Sequence, residues 1–153
     1  VYGPSRINAE AQSRREVELK NAEELHLPEN RVSKVVVDAA IEVHKYLGGP
    51  GLLESVYEDA LAFELQERGL AIKRQLNVPI IYKGKRISSD LRLDLLVDGL
   101  VIVECKAVAE YNSVFNAQAL TYLRLLGLRL ALVINFGAHT IVGGLHRIVN
   151  GLE

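Results

Sequence analysis

The sequence predicts an α/β domain of the α+β kind, with elements in the order α-α-β-β-β-β-α-β-β. Three observations carry this. Apolar residues recur at helical spacing over residues 31–47 and again over 53–69. From about residue 71 the period drops to two. A further helical stretch at 114–127 then precedes a short apolar run, RLALVINF. The chain has 153 residues, 49% of them hydrophobic and 24% charged, enough for one globular domain with its own core.

The first helix is read from RVSKVVVDAAIEVHKYL, which sets Val32, Val35, Val36, Ala39, Ala40, Val43 and Leu47 on one stripe. GGPG at 48–51 must end it, since glycine and proline in series cannot continue a helix. LESVYEDALAFELQERG is the second helix, with Gly69 as its C-terminal stop. AIKRQLNVPIIYKGKRI reads as strand, turn at Lys83-Gly84, and strand, with Pro79 marking an edge or a bulge. A hairpin of LRLDLLV (91–97) and LVIVECKA (100–107) follows. After it come the helix VFNAQALTYLRLLG, a buried strand at 129–136 and a weaker strand within 140–150. Residues 1–28 are expected to be an extension, partly helical across AEAQSRREVELKNAEEL, with the domain proper over 29–153.

Composition excludes several classes. No apolar run is long enough for a transmembrane helix, and residues 1–20 are polar where a signal peptide would carry its apolar centre. The chain begins at Val1 and contains no Met, which leaves a start upstream open. A lone cysteine, Cys105, excludes an internal disulfide framework and a multi-cysteine zinc site. A cytoplasmic protein is the expectation. A net charge of −1 argues against coating nucleic acid by bulk electrostatics, although eighteen Lys and Arg residues suffice for a local basic groove.

The hairpin holds the residues with chemistry to offer. By parity, Leu91, Leu93, Leu95 and Val97 share one face of the first strand, and Arg92, Asp94 and Leu96 the other. On the second strand Val101, Val103, Cys105 and Ala107 are apolar, opposite Leu100, Ile102, Glu104 and Lys106. Both apolar faces enter one core only if even residues pair with even. A two-residue Asp98-Gly99 turn would pair 97 with 100 and separate Asp94 from Glu104. A bulged loop of Val97-Asp98-Gly99, with Gly99 left-handed, pairs 96 with 100 and gathers Asp94, Glu104 and Lys106 on one face. The bulged loop is the prediction.

Two close carboxylates repel unless a cation neutralises them. Lys106 can do part of this, and a hard divalent ion such as Mg²⁺ does it better. A lysine on the same face can then orient water or stabilise charge building on a phosphate. The alternative is an ordinary salt-bridged sheet face. The tripeptide Glu-x-Lys alone is not specific, since Glu18-Leu19-Lys20 repeats it in the extension.

GLLESVY at 51–57 has the form GxxExxY and follows AAIEVHKYLGGP. From about residue 30 to the C-terminus, including INFG and HRIVNGL, the chain resembles the prokaryotic GxxExxY family, placed within the PD-(D/E)XK nuclease superfamily. The resemblance implies a restriction-endonuclease-like mixed sheet flanked by helices. It also implies a metal-dependent nuclease using Mg²⁺, with Mn²⁺ as a substitute, on nucleic acid, DNA ahead of RNA. Asp94, Glu104 and Lys106 match the superfamily's Asp…Glu-x-Lys signature. Glu54 matches its additional helical acid, and Gln118 and Tyr122 match the QxxxY of RecB-like members. The implied metal ligands are Glu54, Asp94, Glu104 and the Cys105 backbone carbonyl. GGPG carries one glycine more than the usual GPG, and the 28-residue extension lies outside the pattern.

Each residue also has a plainer reading. An acid at Glu54 is favoured by the helix dipole alone. Tyr57 is a packing residue whose hydroxyl finds a partner, or a substrate contact. His44 is a helix-end residue or approaches the site. Arg92 is a phosphate contact or Asp94's ion-pair partner. Gln118 and Tyr122 are the rim of a helix–sheet contact, or they brace the lysine. Cys105 is expected to be buried. Lys73, Arg74, Lys83, Lys85 and Arg86 form a solvated edge or guide a nucleic-acid backbone. Two other functions stay open: a catalytically silent nucleic-acid binder, and a protein-interaction module whose cluster is a structural ion-pair network. With no separate recognition domain, sequence specificity would come from a protein partner or a homodimer.

Overall fold

The computed structural model describes residues 5–87 and 90–152, with the backbone alone at 5–8 and 20–25; residues 1–4, 88, 89 and 153 of the expected segments lie outside the described residues. Helices α1 (Ser5–His26), α2 (Pro28–Tyr46) and α3 (Glu54–Glu67) come first. Strands β1 (Ile72–Val78), β2 (Ile81–Tyr82), β3 (Lys85–Arg86), β4 (Leu91–Val97) and β5 (Val101–Lys106) follow. Helix α4 (Val114–Leu126), β6 (Leu130–Asn135) and β7 (Leu145–Val149) complete the chain. The five-stranded mixed sheet has the order β1-β4-β5-β6-β7, and only β5 and β6 run parallel. That parallel pair requires a crossover, which α4 supplies. Among the described residues no helix is long and apolar enough to cross a membrane.

Local chemistry explains the boundaries. Pro28 stands in the first turn of α2, where a missing N–H costs nothing, so the helix begins before the expected residue 31. Past α3, Gly69 is left-handed at φ 84°, and Leu70 N–H reaches the Leu65 carbonyl at 3.1 Å while Gly69 N–H reaches Gln66 at 2.9 Å. This pair of bonds ends a helix by satisfying its last carbonyls.

Both faces of the sheet are covered. Val36, Ala39, Ala40, Leu61 and Leu65 pack on Leu95, Val97, Val101, Val103, Leu132 and Ile134. Ala119 and Leu123 of α4 pack on Leu93, Leu96, Ile102, Ala131 and Val133. Strand β6 is buried throughout, hence its unbroken apolar sequence.

Two expectations need correction. The run from 71 to 87 is not one hairpin. Proline at 79 cannot donate to a ladder, so β1 ends at Val78 and joins the main sheet, while β2 and β3 form a separate two-stranded ribbon. The β4–β5 pairing keeps the predicted parity but not the predicted register: Leu96 faces Ile102 rather than Leu100, and the loop is Asp98-Gly99-Leu100. Asp98 (φ 51°) is left-handed as well as Gly99 (φ 65°). It is held there from a distance, because its N–H donates to the Ala71 carbonyl at 2.8 Å and its Oδ1 accepts from Ala71 N–H at 2.7 Å.

Candidate active site

The β4–β5 ladder stops at Leu95↔Val103. One step further, in the same register, Asp94 faces Glu104, and their side chains take over where backbone carbonyls would have bonded. Asp94 N–H donates to Glu104 Oε1 at 3.1 Å, and Cys105 N–H donates to Asp94 Oδ2 at 2.8 Å. Strand β4 also changes allegiance here: Leu95 and Val97 belong to the core under α2 and α3, while Leu91 and Leu93 join the core under α4. On the neighbouring strand Gln75 is left-handed at φ 50° and falls out of the β1–β4 ladder. The acid therefore sits at a kink between two well-paired halves of its strand.

Burial sets the electrostatics. Glu104 is 6% exposed. Desolvation and then the charge of Asp94 push its carboxyl up to about 8, and Lys106 offsets this only in part. Desolvation also raises Asp94, against the pull of the Cys105 amide. Among the described residues no Lys, Arg or His nitrogen lies within 4.0 Å of either carboxylate. Burial and mutual repulsion thus disfavour full ionisation of the pair.

Helix α3 brings two more acids. Glu54 opens the helix and is raised first by desolvation and then by Asp94 and Glu58, with Lys106 and the Ala107 amide opposing. Glu58, one turn on, is 7% exposed, with Oε2 taken by Arg74 Nη2 at 2.7 Å and Oε1 by Gln75 Nε2 at 2.7 Å. Arg74 also bonds Asp59. Sequence reasoning passed over Glu58 and Gln75. The signal was present for Glu58, since positions 54, 58, 61 and 65 form one helical stripe that turns from acid to leucine along its length.

The other predicted residues separate into groups. Lys106 is half-buried, and its Nζ lies 4.6 Å from the centre of the Phe115 ring, a cation–π contact rather than an ion pair with either acid. Tyr122 hydroxyl donates to the Arg92 carbonyl at 3.3 Å, and burial followed by the charges of Glu104 and Asp94 raises its pKa. Gln118, one turn earlier on α4, is exposed. Arg92 does not pair with Asp94; its Nε donates to Asn77 Oδ1 at 3.3 Å. Cys105 is fully buried, and desolvation pushes its thiol well up.

His44 and Tyr57 brace the scaffold. His44 is buried with Nε2 at 3.2 Å from the Phe136 carbonyl. Tyr57 is wholly buried and stacks on Phe136 at 4.8 Å between ring centres. Its hydroxyl donates to the Gly49 carbonyl at 2.7 Å and accepts from Leu52 N–H at 3.1 Å. GxxExxY is thus a mechanical unit, in which the tyrosine clamps the loop that leads into Glu54. The exit of β5 is fixed from the opposite side. Asn135 Oδ1 accepts from Val108 and Gly137 N–H, and its Nδ2 donates to the Val108 carbonyl, each at 3.0 Å. A Cβ on Gly137 would come within 2.4 Å of that carbonyl, which explains glycine there.

The donor set suits a hard divalent ion. Two carboxylates at facing positions, with the Cys105 backbone adjoining Glu104, are oxygen donors. Mg²⁺ is typically held by one or two carboxylates with water and substrate phosphates completing its shell. Among the described residues no group of three or more His, Cys, Asp or Glu is placed to hold a metal ion, so Glu54 does not close on Asp94 and Glu104 as the resemblance implies. Comparison with curated proteins and with solved structures gives no match. A family model does match, from residue 30 in the first turns of α2 to residue 148 in β7, and so takes in both helical acids, the kinked strand and the Glu-Cys-Lys that follows it. This chain belongs to the PD-(D/E)XK nuclease superfamily.

Proposed function

We propose that the domain is a Mg²⁺-dependent nuclease of the GxxExxY kind, hydrolysing phosphodiester bonds in DNA. Nucleases of this superfamily generally use divalent metal ions, and nucleic acid is their substrate class. The observation that carries the reading is the reciprocal bonding of Asp94 and Glu104 to the backbone of the opposite strand, which fixes one buried and one half-buried carboxylate with no cation of the described residues in contact.

Asp94, Glu104 and the Cys105 carbonyl would hold the ion, with Glu54 assisting from α3. A bound Mg²⁺ supplies Lewis-acid stabilisation of phosphate charge and lowers the pKa of coordinated water. Lys106 lies two residues beyond Glu104. It would leave Phe115 to position the attacking water or to meet charge developing on the phosphate. Tyr122 ties α4 to β4 beside Asp94, and Gln118 stands on the same helix facing solvent, open to substrate. Arg92 remains exposed for phosphate. His44 and Tyr57 we assign to bracing instead of substrate contact, because their polar atoms are spent on the backbone. Residues 1–28 we take as an extension of the domain over 29–153, and sequence specificity as a property supplied by a homodimer or a protein partner.

One observation favours a second reading, a binder that no longer cuts: Lys106 rests on Phe115 instead of on the acids. The deciding experiment incubates the protein with single-stranded, duplex and branched DNA, and with RNA, in Mg²⁺ or Mn²⁺. Metal-dependent cleavage lost in Lys106→Ala and Asp94→Ala supports the nuclease. Cleavage that survives both substitutions rejects this site. Salt-sensitive binding without cleavage establishes the silent binder.

A further inference from the structure

The ribbon formed by β2 and β3 has no role in the site described above. It rises between β1 and β4, outside the five-stranded sheet, and every residue from Ile81 to Arg86 is exposed. A two-stranded hairpin is marginal by itself, yet this one displays Ile81 at 56% and Tyr82 at 62% exposure with no protein surface over them. Lys83 and Gly84 make its tip, both left-handed (φ 50° and 78°), as a tight hairpin turn requires.

Pairing places the side chains. Ile81 faces Arg86 and Tyr82 faces Lys85, so each side of the ribbon carries one apolar and one basic residue. Lys83 folds its Nζ to 5.5 Å from the Tyr82 ring. The stretch 79–87, PIIYKGKRI, holds three basic residues and no acid in a chain whose net charge is −1. The ribbon is therefore a local positive projection. Arg74, which the sequence grouped with these residues, does not belong to it, being committed to Glu58 and Asp59.

We infer that this ribbon is a wing that enters the major groove of B-form duplex DNA, the substrate of the proposed nuclease site, on which this inference rests. Two strands about 4.8 Å apart, with their side chains, match a groove about 12 Å wide. The deep, narrow major groove of an A-form RNA helix does not admit them. Lys83, Lys85 and Arg86 meet phosphates along the groove walls, Arg86 exchanging its exposed contact with Asp90 (2.8 Å) for one of them. Tyr82 and Ile81 cover sugar and base edges. The base of the ribbon adjoins the Val78↔Leu91 pair at the end of the main sheet, and Asp94 stands three residues along β4 from that pair, about 10 Å at 3.3 Å per residue. A duplex gripped by the ribbon thus runs past the kinked acid.

The test measures binding of the full chain, without divalent metal, to a DNA duplex of about 20 base pairs, the same-sequence RNA duplex and each single strand, across a salt series. Wild type is expected to prefer the DNA duplex. The triple variant Lys83→Gln/Lys85→Gln/Arg86→Gln should weaken that binding at least tenfold and reduce the salt slope by between about two and three, since each phosphate contact contributes about 0.9. Tyr82→Ala, which removes no charge, should weaken binding while leaving the salt slope unchanged. Circular dichroism of both variants should match wild type, because the positions are exposed. Equal affinity and slope in the triple variant, or a preference for RNA duplex or single strands, overturns the wing and leaves the nuclease reading standing. A wild type that neither binds nor cuts any nucleic acid overturns both.

Discussion

Glu58 and Glu104 are buried to nearly the same degree, at 7% and 6% exposure, and reach the same end of the sheet from different elements. Glu58 has Arg74 on one oxygen and Gln75 on the other. Glu104 has a single backbone N–H on Oε1, a second carboxylate facing it, and a carboxyl pushed up to about 8. Burial alone therefore does not mark a functional acid; what distinguishes the two is whether the fold supplies the compensating positive charge. Glu58 is neutralised within the chain and holds α3 to β1. Glu104 has only the partial offset of Lys106, which makes no ion pair with it.

Exchanging each acid for its amide tests that contrast most severely. Glu104→Gln should lower metal-dependent cleavage by about 10²–10³-fold, the scale for removing one charge-stabilising group at a reacting centre. Glu58→Gln should keep a rate close to wild type while reducing stability. Single-turnover cleavage of a labelled DNA duplex reads both. An equal loss in Glu58→Gln would place that residue in the site and erase the distinction.

The next effect is on stability. Arg74→Ala leaves the Glu58 carboxylate buried with only Gln75 for company. The expected cost is about 1–3 kcal/mol by urea denaturation, the penalty for an under-satisfied buried group reduced by the partial exposure of Arg74. No measurable change would mean that water replaces the arginine freely, and that Glu58 is less isolated from solvent than its burial implies.

The pH dependence of Glu104 has the opposite sign from that of an ordinary salt-bridged acid. Its folded pKa, about 8, lies above the unfolded value near 4.5. The stabilisation is thus fully present below about pH 4.5 and is lost as pH rises through 8. In the proposed site Mg²⁺ would compete with the same proton, so the rise in Tm on adding it should be larger at pH 8 than at pH 6. At ten times its Kd the ion would add about 1.4 kcal/mol. Thermal melts of wild type and Glu104→Gln with and without Mg²⁺ check this, and the variant should lose both the slope and the metal response. A metal response that is stronger at pH 6, or that persists in the variant, would place the ion elsewhere.

Periodicity and parity carried much of this. The helices at α2, α3 and α4 and the buried strand β6 follow from spacing alone, because each depends on neighbours close in sequence. The single apolar face read for Leu91, Leu93, Leu95 and Val97 does not hold, since the first two join the core under α4 and the last two the core under α2 and α3. The register of β4 against β5 did not, because Asp98 is fixed by Ala71, 27 residues away. Nor did the fate of Arg74, which reads as one of five basic residues along a hairpin until α3 folds over it. Glu58 was legible as a site neighbour from the stripe it shares with Glu54, but its neutralisation was not, since Gln75 reaches it from a left-handed position no local pattern announces.

The smallest effect concerns how Glu54 comes to be where it is. Tyr57 binds the loop at both Gly49 and Leu52 through one hydroxyl, while its ring stacks on Phe136. Tyr57→Phe keeps the stacking and removes the clamp, so the cost should be about 1 kcal/mol, that of a buried hydrogen-bonded hydroxyl. If the clamp also sets the entry of α3, hydrogen exchange should rise at Leu52 and at the first amides of that helix. It should stay unchanged at Leu61 and Leu65, deeper in the core. Faster exchange along the whole helix would instead make Tyr57 a general packing residue, and the GxxExxY spacing would then owe nothing to the placement of its glutamate.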